Sequence, residues 1–393
     1  MKPRNRNATL LLILTLIVLG ALPIDFLLPA LPAMAAHFGL PLADTALVAS
    51  LYAFGVAVAQ PWVDPLAARW GRKAVLIGGL AVSGIAAAAA VAVEQGWALL
   101  ALRAVQGFGC GSLVLVHALL GSGKASSQRL RAMLALAGAL FVALAPVLGN
   151  AALQHFGWQA AFLAYEFLTL FAVGLLIGVL EDLPGEGDAN WRNHFSAYRH
   201  TLRQPGVAGY SVLAALAFGC HFMALVALPV VGTLTFGLPA SAVALALLGY
   251  GVAVLASEAL AGWLGQALAS NGQIRLGLAI STLATAALAL SLRESTLVWF
   301  IVPLLATTLG TSLVRAGATA QALELADAPA VAKVLGNSLT FTCAGLLSLL
   351  ALQVETDTRL GLLVLYVGTT LVAALILAAI TETQPTERNA VNL

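Results

Sequence analysis

Asp25, Arg103, His117, Glu166, His221, Glu258 and Arg315 interrupt stretches of sequence that are otherwise apolar. A charge in such surroundings is costly, so groups of this kind pair with one another or do work as proton or ion sites. Read as helices rising about 1.5 Å per residue, these stretches place Arg103 roughly 9 Å and Glu166 roughly 10 Å from one end, with Asp25 near the same level. Those three are expected to form one network. Glu258 and Arg315 fall at about 27 and 29 Å from that side, near the opposite surface. There they either pair or each extend to the interface. His117 reaches similar depth and would supply a positive charge that depends on pH. His221 lies mid-stretch and either faces a cavity or is a hydrogen-bonded packing residue. No nucleophile elbow, paired catalytic carboxylates or metal-ligand spacing occurs in a loop, and no phosphate-binding glycine loop is present. The expectation is a chain that is not an enzyme, needs no cofactor and draws its energy from an ion gradient. Cys110, Cys220 and Cys343 are too scattered for a disulfide framework and read as small packing residues.

The elements that must hold these groups follow from composition. Of 393 residues, 61% are hydrophobic and 9% charged, and the mean hydropathy is +0.96. This is far from a soluble domain. Apolar runs near 20 residues fit membrane-spanning helices, and barrel strands would be shorter and alternating. Twelve spans are expected in an all-α integral membrane fold: residues 8–33, 45–66, 74–93, 97–119, 130–153, 159–180, 207–231, 240–264, 274–292, 296–317, 331–352 and 359–380. The long polar stretch "EDLPGEGDANWRNHFSAYRHTLRQPG" falls between the sixth and seventh. It divides the chain into a six-helix bundle over 1–180, a central loop over 181–206 and a second six-helix bundle over 207–393, the pattern of a transporter built from repeats. Trp191, Phe195 and Tyr198 lie among Arg and His in that loop, which is either a short helix on the membrane surface or a solvated tether. The first apolar run follows Lys2, Arg4 and Arg6, lacks a convincing cleavage site and reads as a retained helix. With the N-terminus inside, the cytoplasmic loops collect Arg69, Arg72, Lys73, Lys124, Arg129, Arg131, Arg192, Arg199, Arg203, Arg275, Lys333 and Arg388. The outer loops receive only Arg293 and Arg359. Both termini are then cytoplasmic. A net charge of +2 gives no sign of a nucleic-acid partner.

Five short segments carry a resemblance. "DPLAARWGRK" at 64–73 resembles the loop motif of the major facilitator superfamily, G-x-L-x-D-R-x-G-R-R/K. Leu66, Arg69, Gly71, Arg72 and Lys73 match, whereas Asp64 replaces the Gly and Ala68 the Asp. "LPIDFLLPALP" resembles the first span of the bicyclomycin-resistance type of drug:proton antiporter, as do Tyr52, Gly55, Gln60 and Pro65 farther on. "LRAVQGFGCG" resembles the Arg-containing motif of span four. "LAPVLGNAALQHFGWQAAF" resembles the antiporter motif of span five, with Ala145 and Asn150 where Gly is usual. "RAGATAQALE" fits the same branch.

The resemblance implies a twelve-helix fold of two pseudo-symmetric halves that rock about a midplane site. It implies a monomeric exporter of drug-like or amphipathic small molecules in a bacterial inner membrane, driven by protons and surrounded by lipid. Asp25 and Arg103 would couple protons, with a static ion pair between them as the alternative. Tyr52, Gln106, His221 and Tyr250 are candidates for the substrate cavity. Asp64, Arg69, Gly71, Arg72, Lys73, Glu258 and Arg315 would gate, and Pro146 and Gly149 would act as hinges. On a continuous helix Asp64 and Ala68 share a face about 6 Å apart. Asp64 therefore either supplies the charge missing at Ala68 or merely pairs with Arg69 or Arg72. Carriage of one polar metabolite, such as a siderophore or small carboxylate, and a non-transporting sensor remain alternatives.

Overall fold

The structure, a computed structural model, describes residues 6–116, 128–180, 191–204, 206–293, 296–353 and 358–383. His117, Lys2, Arg4, Lys124 and Arg388 lie outside them, as does 181–190 of the central loop; Arg129 and Arg131 are described by backbone alone. The chain is all-helical, and the described residues hold twelve helices long and apolar enough to cross a membrane.

The first span is broken because its sequence carries Pro23, Pro29 and Pro32. A proline lacks the N–H that an inner turn needs and is tolerated in a first turn. Accordingly α1 (Arg6–Ala21) gives way to a π-type turn at Leu22–Phe26, a 3₁₀ turn at Leu28–Ala30 and α2 (Leu31–Phe38), each of the last three with a proline as its second residue. Next come α3 (Ala46–Trp70), α4 (Arg72–Ala92), α5 (Gly96–Cys110) with a 3₁₀ extension at Gly111–Leu115, α6 (Gln128–Phe156) and α7 (Ala160–Val179). The loop segment forms α8 (Trp191–Arg203), a polar, strongly amphipathic helix with Tyr198 and Thr201 buried. Six more helices follow: α9 (Val207–Leu234), α10 (Ala240–Leu264), α11 (Ser270–Leu290), α12 (Leu297–Leu325), α13 (Pro329–Ala351) and α14 (Thr358–Thr383).

Contacts divide the chain into two compact units, one of 1–191 with 223–255 and one of 192–222 with 256–393. In the first, α5 packs closely on α3 and α4, α4 on α7, and α6 on the 22–26 turn. In the second, α11 and α12 form the most extensive pair, and Tyr210, Leu213, Ile274, Val314 and Leu377 build a core with them.

Both units contain the same close approach. Gly79 of α4 faces Gly109 of α5, where a Cβ on Gly79 would stand 2.7 Å from the Gly109 carbonyl oxygen; Gly277 of α11 faces Gly310 of α12 at the same 2.7 Å. In each pair the first glycine opens a pentapeptide, "GLAVS" at 79–83 and "GLAIS" at 277–281, and the second glycine lies against its serine, Ser83 or Ser281. Small residues at such crossings let backbones touch, the main source of helix association in lipid. Gly277→Val would overpack the second crossing and is expected to cost about 1–3 kcal/mol or more. A lowered melting temperature in detergent would register it; an unchanged one would mean that the crossing can open.

Candidate functional site

Arg103 organises the first unit. It lies in α5 with 1% of its surface exposed, and its donors go to three neutral acceptors: Nη2 to the Pro23 carbonyl at 2.8 Å, Nε to the Val48 carbonyl at 2.9 Å and Nη1 to Gln106 Oε1 at 2.7 Å. The guanidinium also stands over the Tyr52 ring, 4.7 Å from its centroid, and nearer that ring than Phe162 at 5.9 Å. One side chain thereby ties the broken first span, α3 and α5 together. Pro23 is available because the π-type turn frees carbonyls that a regular helix would use.

Asp25 is in that turn, two residues after Pro23, and is 8% exposed. The expected direct network does not form. None of the hydrogen bonds of Arg103 goes to Asp25 or Glu166, and among the described residues Asp25 has no ion pair. The reason is geometric: carbonyls of the adjoining backbone satisfy the guanidinium first. Glu166 projects from α7 toward Gly84 of α4, and its Oε2 is buried without a hydrogen-bond partner. Tyr52 and Gln106 are buried and engaged by Arg103, and Tyr250 is 1% exposed, so these three cavity candidates are covered in this conformation.

The 64–73 segment is built around Gly71. α3 runs unbroken through Pro61 and Pro65 to Trp70, so Asp64 and Ala68 do share a helical face. Asp64, Arg69 and Arg72 are exposed. Gly71 then turns the chain with φ 84° and ψ 148°, a region that side chains with a Cβ avoid. Lys73 donates to the Leu180 carbonyl at 2.7 Å and reaches that of Ile177 at 3.5 Å. It thus caps the end of α7, where a cation also complements the helix dipole. Pro146 lies within an uninterrupted α6, and Gly149 packs against the backbone of Phe26, next to Asp25.

In the second unit Glu258 and Arg315 pair at 2.5 Å through Glu258 Oε2, and Ser312 donates to Oε1 at 2.8 Å. The helices that carry them run on past the pair. α12 continues to Leu325, about 15 Å past Arg315, and α10 to Leu264, about 9 Å past Glu258. The sequence after Arg315 is rich in Ala, Gln, Leu and Glu, all strong helix formers, which carries α12 beyond the expected end at 317. Measured from the N-terminal helix ends, each partner lies 18 residues in, about 27 Å. His221, at the middle of α9, lies with its ring tilted at 58° to that of Phe218, 5.8 Å between centroids.

Sequence reasoning missed Ser312, although its spacing of three from Arg315 places both on one helix face. It also missed the carbonyls of Pro23 and Val48, which no residue type announces.

Comparison with known proteins bears on this arrangement. The Major Facilitator Superfamily model matches residues 12–352. The chain belongs to that superfamily. Among individual members, this facilitator is similar to a bicyclomycin resistance protein homolog of Haemophilus influenzae, 27% identical over 244 residues, covering 60% of the chain and 61% of that protein. It is also similar to the multidrug resistance protein MdtL of Escherichia coli O9:H4 (strain HS), 31% identical over 170 residues, with 42% of the chain and 44% of that protein covered. The match thus spans less than two thirds of either relative. The fold is that of the human organic anion transporter MFSD10 (TETRAN), whose crystal structure superposes with a TM-score of 0.67 at 17% identity, covering 94% of this facilitator and 99% of that chain. The superfamily resemblance read from the five segments is confirmed, and bicyclomycin and multidrug resistance proteins stand among its relatives.

Proposed function

We propose that this facilitator is a proton-driven exporter of small drug-like or amphipathic molecules, working by alternating access of two six-helix halves, 1–180 and 207–393, joined by 181–206. We place it in a bacterial inner membrane as a monomer with both termini in the cytoplasm. The observation that carries this reading is Asp25: a buried carboxylate with no ion pair among the described residues, in an irregular turn of the first span. Proton affinity at such a group depends on access to water, so a transition that changes its access can load a proton from one side and release it to the other. Arg103 holds that turn to α3 and α5, so movement of Asp25 is tied to movement of the bundle. The Glu258–Arg315 pair neutralises itself. The resistance proteins among the relatives fit export of drug-like compounds.

The test is reconstitution into liposomes holding a pH-sensitive dye, with lipophilic cations, antibiotics and polycarboxylate siderophores supplied in turn. Proton flux that follows a lipophilic compound supports the proposal; flux with siderophores alone selects a narrow metabolite carrier. Binding without flux for every compound would replace transport by sensing.

Gating by Glu258 and Arg315 makes a separate prediction. Both side chains are more than a third exposed, so Glu258→Gln should alter stability by less than about 1 kcal/mol. Flux should nonetheless fall several-fold, and the Glu258→Gln/Arg315→Gln double variant should recover part of it. A double variant no better than the single would remove the pair from the gate.

A further inference from the structure

Away from Asp25 and Arg103, α3, α4 and the 108–112 segment enclose an open groove of about 280 Å³. Gly78, Gly79 and Ser112 form its floor, and Trp62, Trp70 and Phe108 stand along its walls. Those three aromatic side chains are 42, 59 and 46% exposed, a large apolar area for one cleft. The groove follows α3 from Trp70 to Ala59 and α4 from Ala74 to Val82, about 16 and 12 Å. That length is close to one leaflet of a hydrocarbon core about 30 Å thick.

No charged residue lines the groove itself, although exposed Asp64 lies on α3 between the lining residues Val63 and Leu66. Trp70 and Ala74 line one end of the groove, and Arg69 and Arg72 adjoin them in the chain, both exposed and neither in an ion pair among the described residues. The first turn of α4, which opens beside them, has no acidic residue, so its N-terminal dipole adds to the attraction for an anion. Two exposed arginines beside the end of an apolar slot of leaflet length match the layout of a phospholipid, a phosphate followed by a chain. We infer that this groove binds one anionic phospholipid, its acyl chain along Gly78 and Gly79 and its phosphate on Arg69 and Arg72.

Gly78 allows a direct test, because a Cβ there would meet nothing within 4 Å. Gly78→Leu directs a side chain into the groove from a Cβ that meets no neighbour, and it improves helix propensity. The full chain, purified in detergent, is mixed with dioleoyl phosphatidylglycerol or dioleoyl phosphatidylcholine and followed by native mass spectrometry and thermal melting. The wild type should retain one phosphatidylglycerol about tenfold or more over phosphatidylcholine. Gly78→Leu should lose that retention at an unchanged melting temperature without lipid. Arg69→Gln/Arg72→Gln should bind both lipids alike. Ala74→Phe, from an exposed position on the same groove, provides the same reading if Gly78→Leu does not fold. Equal retention of both lipids by the wild type, or undiminished phosphatidylglycerol on the filled groove, overturns the inference.

Discussion

Arg103→Met is expected to lower the unfolding free energy by about 3 kcal/mol and to abolish coupled flux. The substitution keeps a long apolar stem and removes every donor, leaving the Pro23 and Val48 carbonyls and Gln106 Oε1 without the bonds they now accept. Each buried acceptor left unpartnered costs about 1–3 kcal/mol, and part of the sum is offset because a buried cation no longer has to be desolvated. Arg103→Lys should fall between the two. An ammonium is a point donor without the planar fork, so it cannot serve three acceptors set around a guanidinium. Denaturation in detergent, run beside a flux assay, separates the effects. A methionine variant as stable as the parent would mean that the 22–26 turn is held by packing alone.

Asp25→Asn should reduce proton-coupled flux to below about a tenth while leaving folding and substrate binding intact. Asparagine is nearly isosteric, and Asp25 has no ion pair to lose among the described residues; the reading therefore does not confuse coupling with stability. Asp25→Glu keeps the ionisable group but displaces it by one methylene, and partial flux is the expected outcome. If Asp25→Asn still moves protons with substrate, coupling resides elsewhere, and His221 and the Glu258–Arg315 pair become the next places to look.

Much of this was legible in the amino-acid sequence because lipid imposes so few solutions. The apolar runs predicted all twelve spans, most within a few residues, and the Gly71 signature marked a turn where only glycine fits. Errors arose where backbone groups or helix-forming side chains decided the outcome. Arg103 and Asp25 lie at one depth, which suggested an ion pair; the π-type turn offered Arg103 a carbonyl instead, and such a turn has no residue code. Arg315 resembled the end of a helix because it is charged, yet the run from Ala318 to Leu325 prolongs α12 by two turns. The paired glycine crossings required comparison of the sequence with itself, since no single glycine reveals which carbonyl it must admit.

Those crossings also preserve a history. Gly277 follows Gly79 by 198 positions and Gly310 follows Gly109 by 201, each close to half of the 393 residues. A repeat at that interval, on the third and fourth spans of each half, is what duplication of an ancestral six-helix gene leaves behind. The intervening residues have diverged as the halves took up different tasks, and the first half alone received the Asp25 turn and Arg103. A methyl group at either crossing would part the helices, so the same steric demand is met twice. Changes accepted at Gly79 and at Gly277 over evolutionary time should therefore follow one pattern, although the two positions answer to different chemistry nearby.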